Sequence, residues 1–397
     1  MKKIFYFFFL SLTLLFTNSC QKRSQVDSGI ITLDIRNALQ HSEKVISLQE
    51  DIKNVEYIPL ETNDSCLISN ILDMQISKDY IFIYNGKTSD ILQFNKKGKF
   101  IRKIGHEGNG PEEYNMITEL SIDDIQKKLF IFQYSGPILA YSFNGNFLYS
   151  DTTKNAGGMY IFADGEKALK GLTMNPVQKA PWAGALTNSR GKLIMNKSLY
   201  PISGNKNVLY MKEICFSPFK NEVLLFTSCN DTIFRINPSK IQPAFILKRS
   251  NDTNYYNAVA DITKMNDPIL NNSNTIEIYD MFETYRYLYI RLYKGDKNYI
   301  QRYNKEKGNL ESYCIPNVFM ECSEAVPGNN VLGIENKIAN GIPFWPEFYA
   351  CNGSRAQIIS SYAISALQEK GYLHDIPSRL NLRENENPII IIYTFKK

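Results

Sequence analysis

Residues 91–101 read ILQFNKKGKFI and residues 138–148 read ILAYSFNGNFL. Laid over one another, Ile91 falls on Ile138, Phe94 on Tyr141, Gly98 on Gly145 and Phe100 on Phe147, each pair 47 residues apart. One apolar run, a glycine turn and a second apolar run recur in register, which marks two copies of a strand–turn–strand unit. The preceding strands recur as well, with Phe82 and Ile83 matching Phe130 and Ile131 at an offset of 48. Looser copies begin at Val223 (VLLFTSCNDTIFRINPSKIQPAFIL) and at Tyr285 (YRYLYIRLYKGDKNYIQRYNKEKGNLESYCI).

Four strands in about 40–50 residues is the period of a propeller blade. The 25 tyrosines and 23 phenylalanines fall mainly in such short runs, for example Tyr80–Tyr84 and Leu129–Phe132, so the chain is expected to be all-β. A doubly wound α/β sheet needs helical patterns between its strands, and few occur. From Ile68 to the C-terminus the length divides into about seven periods, or six if the blades carry insertions. Residues 154–210 and 323–357 fit the repeat poorly.

Helical patterns concentrate near the C-terminus, at Ile358–Lys370 and, shorter, at Ile376–Arg383. They precede the run from Asn387 to Phe395, NPIIIIYTF, which is apolar on both alternating faces and reads as a strand covered on both sides. A propeller closes its ring by pairing strands from the two chain ends, which removes exposed edges. The expected partner is Val55–Leu60, VEYIPL.

The chain opens with MKKIFYFFFLSLTLLFTNSC: two lysines, an apolar run from Ile4 to Phe16, then small or polar residues. This is a secretory signal layout, and the run is shorter than the roughly 20 residues of a bilayer span. Thr17-Asn18-Ser19 before Cys20 resembles a bacterial lipobox, which implies that the Cys20 thiol is lipidated and becomes the mature N-terminus. Stable membrane attachment takes more than one acyl chain. The following Gln21-Lys22-Arg23-Ser24 is basic, favouring the periplasmic face of the outer membrane over the cell surface. The expected division is a signal peptide at 1–19, a lipidated N-terminus and linker at 20–45, and a propeller domain at 46–397.

Formal charge is +5, or +3 once Lys2 and Lys3 leave with the signal (5 − 2). That is too mild for a nucleic-acid partner. Beyond Cys20 lie Cys66, Cys215, Cys229, Cys314, Cys322 and Cys351; in an oxidising compartment Cys314 and Cys322 are the nearest couple, and buried thiols are the other reading. No C-x-x-C spacing points to zinc or redox chemistry.

The chain is similar to the six-bladed β-propeller lipoproteins of Bacteroides-type bacteria, themselves distantly similar to NHL-repeat propellers. The resemblance rests on the end at Cys20, VEYIPLET (Val55–Thr62), GNGPEEY (Gly108–Tyr114), NDTIFRI (Asn230–Ile236) and NPIII (Asn387–Ile391), in order along nearly the whole mature chain. It implies six blades, and little about activity.

Motif reading yields no reaction. Gly105, Gly108 and Gly110 in GHEGNGPEEY give G-x-x-G-x-G, the wrong order for a dinucleotide loop. Pro111 removes a donor, three glutamates repel phosphate, and Ile117–Ile122 reads as a strand where a helix is required. The loop is expected to be a crossover between blades, its glycines permitting positive φ. Gly86-Lys87-Thr88 lacks the earlier Walker glycine and reads as a hairpin turn. His41, His106 and His374 are too scattered for H-E-x-x-H, and no G-x-S-x-G is present. Carboxylates are plentiful and calcium is a candidate ion, since propellers resembling calcium-dependent lactonases hold it at the channel, but no D-x-D-x-D loop occurs.

Trp182, in KAPWAG, and Trp345 with Phe344 and Tyr349, in PFWPEFY, lie in proline-bounded stretches that interrupt the repeat. Aromatic faces on loops stack on sugars or anchor peptides, so these four are the expected ligand contacts, with packing between blades as the structural alternative. The leading expectation is a lipid-anchored propeller that binds or scaffolds a glycan, a peptide or an envelope protein. The alternative is a propeller hydrolase, lactonase or lyase working at the channel mouth.

Overall fold

The computed structural model describes residues 29–43, 45–134, 136–151, 158–161, 167–171, 184–188, 193–197, 214–227, 231–249, 276–317, 319, 332–339, 341–373 and 386–397. Three strands lead the chain: β1 (Ile31–Leu33), β2 (Ser42–Glu43) and β3 (Ile52–Pro59). Up-and-down meanders follow. The first sheet holds β4 (Ile71–Ile76), β5 (Tyr80–Asn85), β6 (Asp90–Asn95) and β7 (Phe100–Lys103). The second holds β8 (Ile117–Asp123), β9 (Lys128–Gln133), β10 (Ile138–Ser142) and β11 (Phe147–Asp151). The third holds β12 (Gly158–Ile161), β13 (Lys167–Gly171), β14 (Gly184–Asn188) and β15 (Leu193–Lys197). The fourth holds β16 (Ile214–Phe219), β17 (Glu222–Thr227), β18 (Thr232–Asn237) and β19 (Lys240–Leu247). The fifth holds β20 (Ile276–Glu283), β21 (Tyr287–Lys294), β22 (Lys297–Asn304) and β23 (Leu310–Cys314). The last holds β24 (Phe348–Tyr349), β25 (Arg355–Ile359), β26 (Ile389–Phe395) and, at its outer edge, β3.

Each meander is an antiparallel blade, and the first strands touch their neighbours: β4 meets β8, β8 meets β12, β16 meets β20, and β24 meets β4. The cores lie between facing sheets. Phe82 and Ile91 of the first sheet pack on Leu120, Ile131 and Tyr141 of the second. Ile58, Ile390 and Ala356 of the last pack on Met74, Ile83 and Leu92 of the first. Apolar faces packed radially, with first strands inward, define a β-propeller.

The two copies that set the period occupy the same place in consecutive blades. Phe94 faces Phe100 and Tyr141 faces Phe147 across their turns, with ring centroids 5.7 and 5.6 Å apart. A bulge precedes each facing aromatic, and bulges recur at Leu186/Thr187 and Ile233/Phe234 between the last two strands of other blades. Gly98 has φ +79°, and a Cβ there would lie 2.0 Å from the Pro59 carbonyl oxygen, so the turn also needs glycine to approach the closing strand.

The expected closure is present. Ile390 faces Ile58, Ile391 faces Tyr57 and Ile392 faces Glu56 in antiparallel register. Asn387, fully buried, clamps the seam: its side-chain oxygen accepts from Ile68 N at 2.7 Å and its amide donates to the carbonyls of Glu61 at 2.7 Å and Cys66 at 2.8 Å.

Two expectations change. Ile358 and Ile359 belong to β25, opposite Ile390 and Ile389, because their side chains complete the sheet; the helix runs only from Ser361 to Glu369, with the Ser360 hydroxyl accepting from Ala363 N at 3.2 Å. The stretch expected to be linker, as far as it is described, is laid along the blades: β1 pairs in parallel with β19, and β2 with β23. The expected helix at 376–383 lies outside the described residues.

Removing the Asn387 side chain takes the partner from the half-buried Ile68 amide and the buried Cys66 carbonyl, and leaves the Glu61 carbonyl only the Cys66 thiol at 3.1 Å. Asn387→Ala should therefore destabilise the fold by about 3 kcal/mol or more, measured as a lower urea midpoint at unchanged slope.

Candidate functional site

In three innermost strands one bulged residue precedes an acid. Leu72 is skipped before Asp73 in β4, Thr118 before Glu119 in β8, and Tyr279 before Asp280 in β20. A bulge re-aims the side chain that follows it. Asp73 accepts from Met74 N at 2.7 Å and, across the seam, from Leu120 N of the next blade at 2.6 Å. Asp280 repeats the pattern: it accepts from Met281 N at 2.8 Å, from the Cys215 thiol at 3.2 Å and from the Trp345 indole at 3.3 Å. Glu119 has no hydrogen-bond partner among the described residues. Burial pushes the Asp73 carboxyl up to about 6, and burial followed by the Asp73 charge pushes Glu119 well above the usual carboxylate range.

A second constellation gathers side chains from the third to the last blade. Arg355 starts β25 and lies opposite Tyr349 of β24. Its Nη2 donates to Ser217 Oγ at 2.8 Å and to the Pro218 carbonyl at 3.0 Å, both on the innermost strand β16. The guanidinium carbon lies 5.5 Å from the ring centroid of Phe282 in β20 and 5.6 Å from that of Tyr349. Tyr160 of β12 meets the Tyr349 ring edge-on at 6.1 Å, and its hydroxyl donates to the Lys220 carbonyl at 2.9 Å. Side chains from four blades thus meet where innermost strands converge. Burial depresses the Arg355 guanidinium, with the Asp280 carboxylate offsetting part of the effect. Burial also holds both phenols in their protonated form.

The expected ligand contacts distribute differently. Phe344 and Trp345 present no face to solvent: both are fully buried, their rings 5.9 and 5.1 Å from Phe282, in the core between the last two blades. The prolines on either side make this stretch look like a loop, but Phe344 exchanges backbone hydrogen bonds with Ile334 at 2.7 and 3.0 Å, which folds it inward. Tyr349 alone of the described candidates reaches the axis, half-buried. Trp182 and Cys20 lie outside the described residues, as does Cys322. Cys66, Cys215, Cys314 and Cys351 are not disulfide-bonded. Among the described residues no group of three metal-ligating side chains converges.

Arg355, Asp73, Glu119, Asp280 and Tyr160 escaped the motif reading. One signal was present: Leu72-Asp73-Met74 and Tyr279-Asp280-Met281 place the same Asp-Met pair at the same point of two repeats.

GHEGNGPEEY runs from β7 to β8, as a crossover should. His106 Nε2 and Glu113 Oε1 are 2.7 Å apart, Gly110 N donates to Glu113 Oε2 at 2.8 Å, and buried Tyr114 pins the loop. Glu113 thus takes the Gly110 amide and closes the loop on itself.

The family model for the domain of unknown function DUF4934 matches residues 30–394, and the chain belongs to that family. Among solved structures it is similar to a Bacteroides fragilis protein described as exported, at 18% identity and a TM-score of 0.65, over 93% of this chain and 100% of that one. A member of the DUF4221 family from Bacteroides vulgatus aligns at 12% identity and a TM-score of 0.47, over 87% of this chain and 97% of that one. No curated protein matches the sequence.

A carboxyl whose folded pKa is raised holds its proton where the unfolded chain has released it, so its stabilising contribution is complete at low pH and is lost as pH rises through the folded value. Asp73 acts so between 3.8 and about 6, and Glu119 has the same sign. Glu119→Gln should therefore gain stability over the parent, by a margin that widens from about pH 5 to about pH 8 in urea titrations. A margin that narrows with rising pH would refute the assignment.

Proposed function

We propose that this chain is a six-bladed, NHL-like propeller held by lipid on Cys20 at the periplasmic face of the outer membrane. It acts there as a binding or scaffolding module for a glycan, a peptide or an envelope protein. The observation that carries the binding reading is the half-buried pair Tyr160 and Tyr349 beside the Arg355 guanidinium, with fully buried Ser217 and Phe282 packed around that cation. Such a mixture of aromatic faces, a hydroxyl and a cation suits recognition. The axial aspartates are meanwhile engaged by backbone amides, an indole and a thiol in joining blades. Ring closure through β3 and β26 and the succession of antiparallel meanders around the chain support the six-blade count. The export described for the Bacteroides fragilis protein and the signal layout support the envelope location. No helix among the described residues is long and apolar enough to cross a membrane. Trp182 remains a candidate contact.

Cys20→Ala should abolish incorporation of radiolabelled palmitate and shift the protein from the membrane to the soluble fraction. Purified protein incubated with envelope oligosaccharides and peptides should retain a ligand and release it with unchanged mass; cleaved or ring-opened products would favour the channel-mouth enzyme.

A further inference from the structure

Among the described residues, buried Arg249 and Arg302 and half-buried Arg235 hold carboxylates in contact, and buried Arg291 has Glu347 at 3.9 Å. Arg235 is held by Glu283 through two contacts of 2.9 Å and by Glu222 at 2.9 Å. Arg302 has Glu311 at 2.6 Å, and Arg249 has Asp231 at 2.6 Å. Arg355 breaks this pattern. It is 4% exposed, no carboxylate of the described residues lies within 4.0 Å of its nitrogens, its acceptors are a hydroxyl and a carbonyl, and its Nε has none. Glu283, whose charge is felt at Arg355, is already shared between Arg235 and Lys305. Asp280 is occupied by three donors. A buried guanidinium without a contacting anion costs several kcal/mol, and an unsatisfied N–H adds to that.

We propose that Arg355 anchors a binding site for a carboxylate-bearing ligand, whose remaining surface packs on the rings of Tyr349 and Tyr160. This rests on the binding-module reading and names the chemistry of that site. The planar guanidinium with an unused donor matches a planar carboxylate. A single arginine among neutral hydroxyls suits one negative charge better than a phosphate dianion. Both tyrosines are half-buried, so the approach to Arg355 is aromatic. An acidic sugar would use the ring faces as well as the charge, whereas a simple carboxylic acid would use only the charge.

The test is thermal unfolding of the full mature chain at fixed ionic strength with sodium glucuronate, sodium acetate or glucose at about 10 mM, since a ligand bound only by the folded state raises the melting temperature. Glucuronate should raise it and glucose should not. An equal rise with acetate identifies a bare carboxylate as the recognised unit, and a rise with glucuronate alone identifies an acidic sugar. Arg355→Lys should weaken glucuronate binding by about 10- to 100-fold, the value of a hydrogen bond to a charged group. If that variant does not fold, the wild-type arginine Nε–H resonances decide: one protected signal must shift on adding glucuronate. Absence of any shift with both carboxylates, or undiminished binding by a folded Arg355→Lys chain, overturns the proposal. Retention of a neutral glycan in either case would leave the binding-module reading standing, whereas turnover of ligand would overturn that reading instead.

Discussion

The ring is held shut by β3 lying along β26, and most of the architecture depends on that pairing. A sheet that ends in an open strand offers unpaired amides and carbonyls to any other chain, so closure removes an aggregation edge while it fixes the order of the blades. The seam is more than backbone. Asn387 ties the entry of β26 to the segment after β3, and Lys396 N donates to the Asp51 carbonyl at 2.6 Å beyond its exit. Asp51 in turn accepts from Thr284 Oγ1 at 3.0 Å and from the Tyr289 hydroxyl at 2.9 Å, which carries the seam into the neighbouring blade. Residues near the two ends of the chain therefore order the blade on either side of the closure.

Upstream of β3 the chain serves the same purpose in a weaker form. β1 and β2 run parallel to β19 and β23, covering the outer edges of two further blades. Ile35, fully buried between them, joins Leu33 in the core shared by Leu224, Phe245 and Leu288, and its carbonyl accepts from Gln301 at 2.9 Å. The strap is short, but it replaces solvent at two edges with hydrogen bonds and adds two large aliphatic groups to an inter-blade core. Edges on the outside of a propeller are its aggregation hazard, and this segment shields two of them.

Much of this was legible because propeller blades repeat local structure. Gly98 and Gly145, Phe94 and Tyr141, and Phe100 and Phe147 fall into equivalent cross-strand places because each blade turns the same corner with the same chemistry. The partnership of Val55–Leu60 with Asn387–Phe395 was legible for another reason: a strand apolar on both faces demands cover, and few other runs lacked a partner. Where the repeat lapses the reading fails. Pro343 and Pro346 suggest an exposed loop, yet Trp345 is buried because Asp280, 65 positions away, accepts its indole hydrogen. Ile358 and Ile359 fit a helical pattern as well as a strand, and only the presence of Ile389 and Ile390 opposite decides between them. Arg355 has no local signature, since Ser217, Phe282 and Tyr160 meet it only after four blades are assembled.

The electrostatics of the axis separate two kinds of compensation. Burial depresses the Arg355 guanidinium, and Asp280 and Glu283 offset part of that cost at a distance. Coulombic relief of that kind is not directional, and it leaves the Nε–H without an acceptor. Hydrogen-bond satisfaction, by contrast, falls off within a few tenths of an ångström and requires an oxygen in contact. Arg235, with three contacts of 2.9 Å to two carboxylates, has both kinds, and its role is complete as a brace between blades. Arg355 has the first and only part of the second. Both residues fold within one scaffold, so the difference is a property of position: half-buried Arg235 lies on β18 in the wall of the ring, and Arg355 lies where the innermost strands converge.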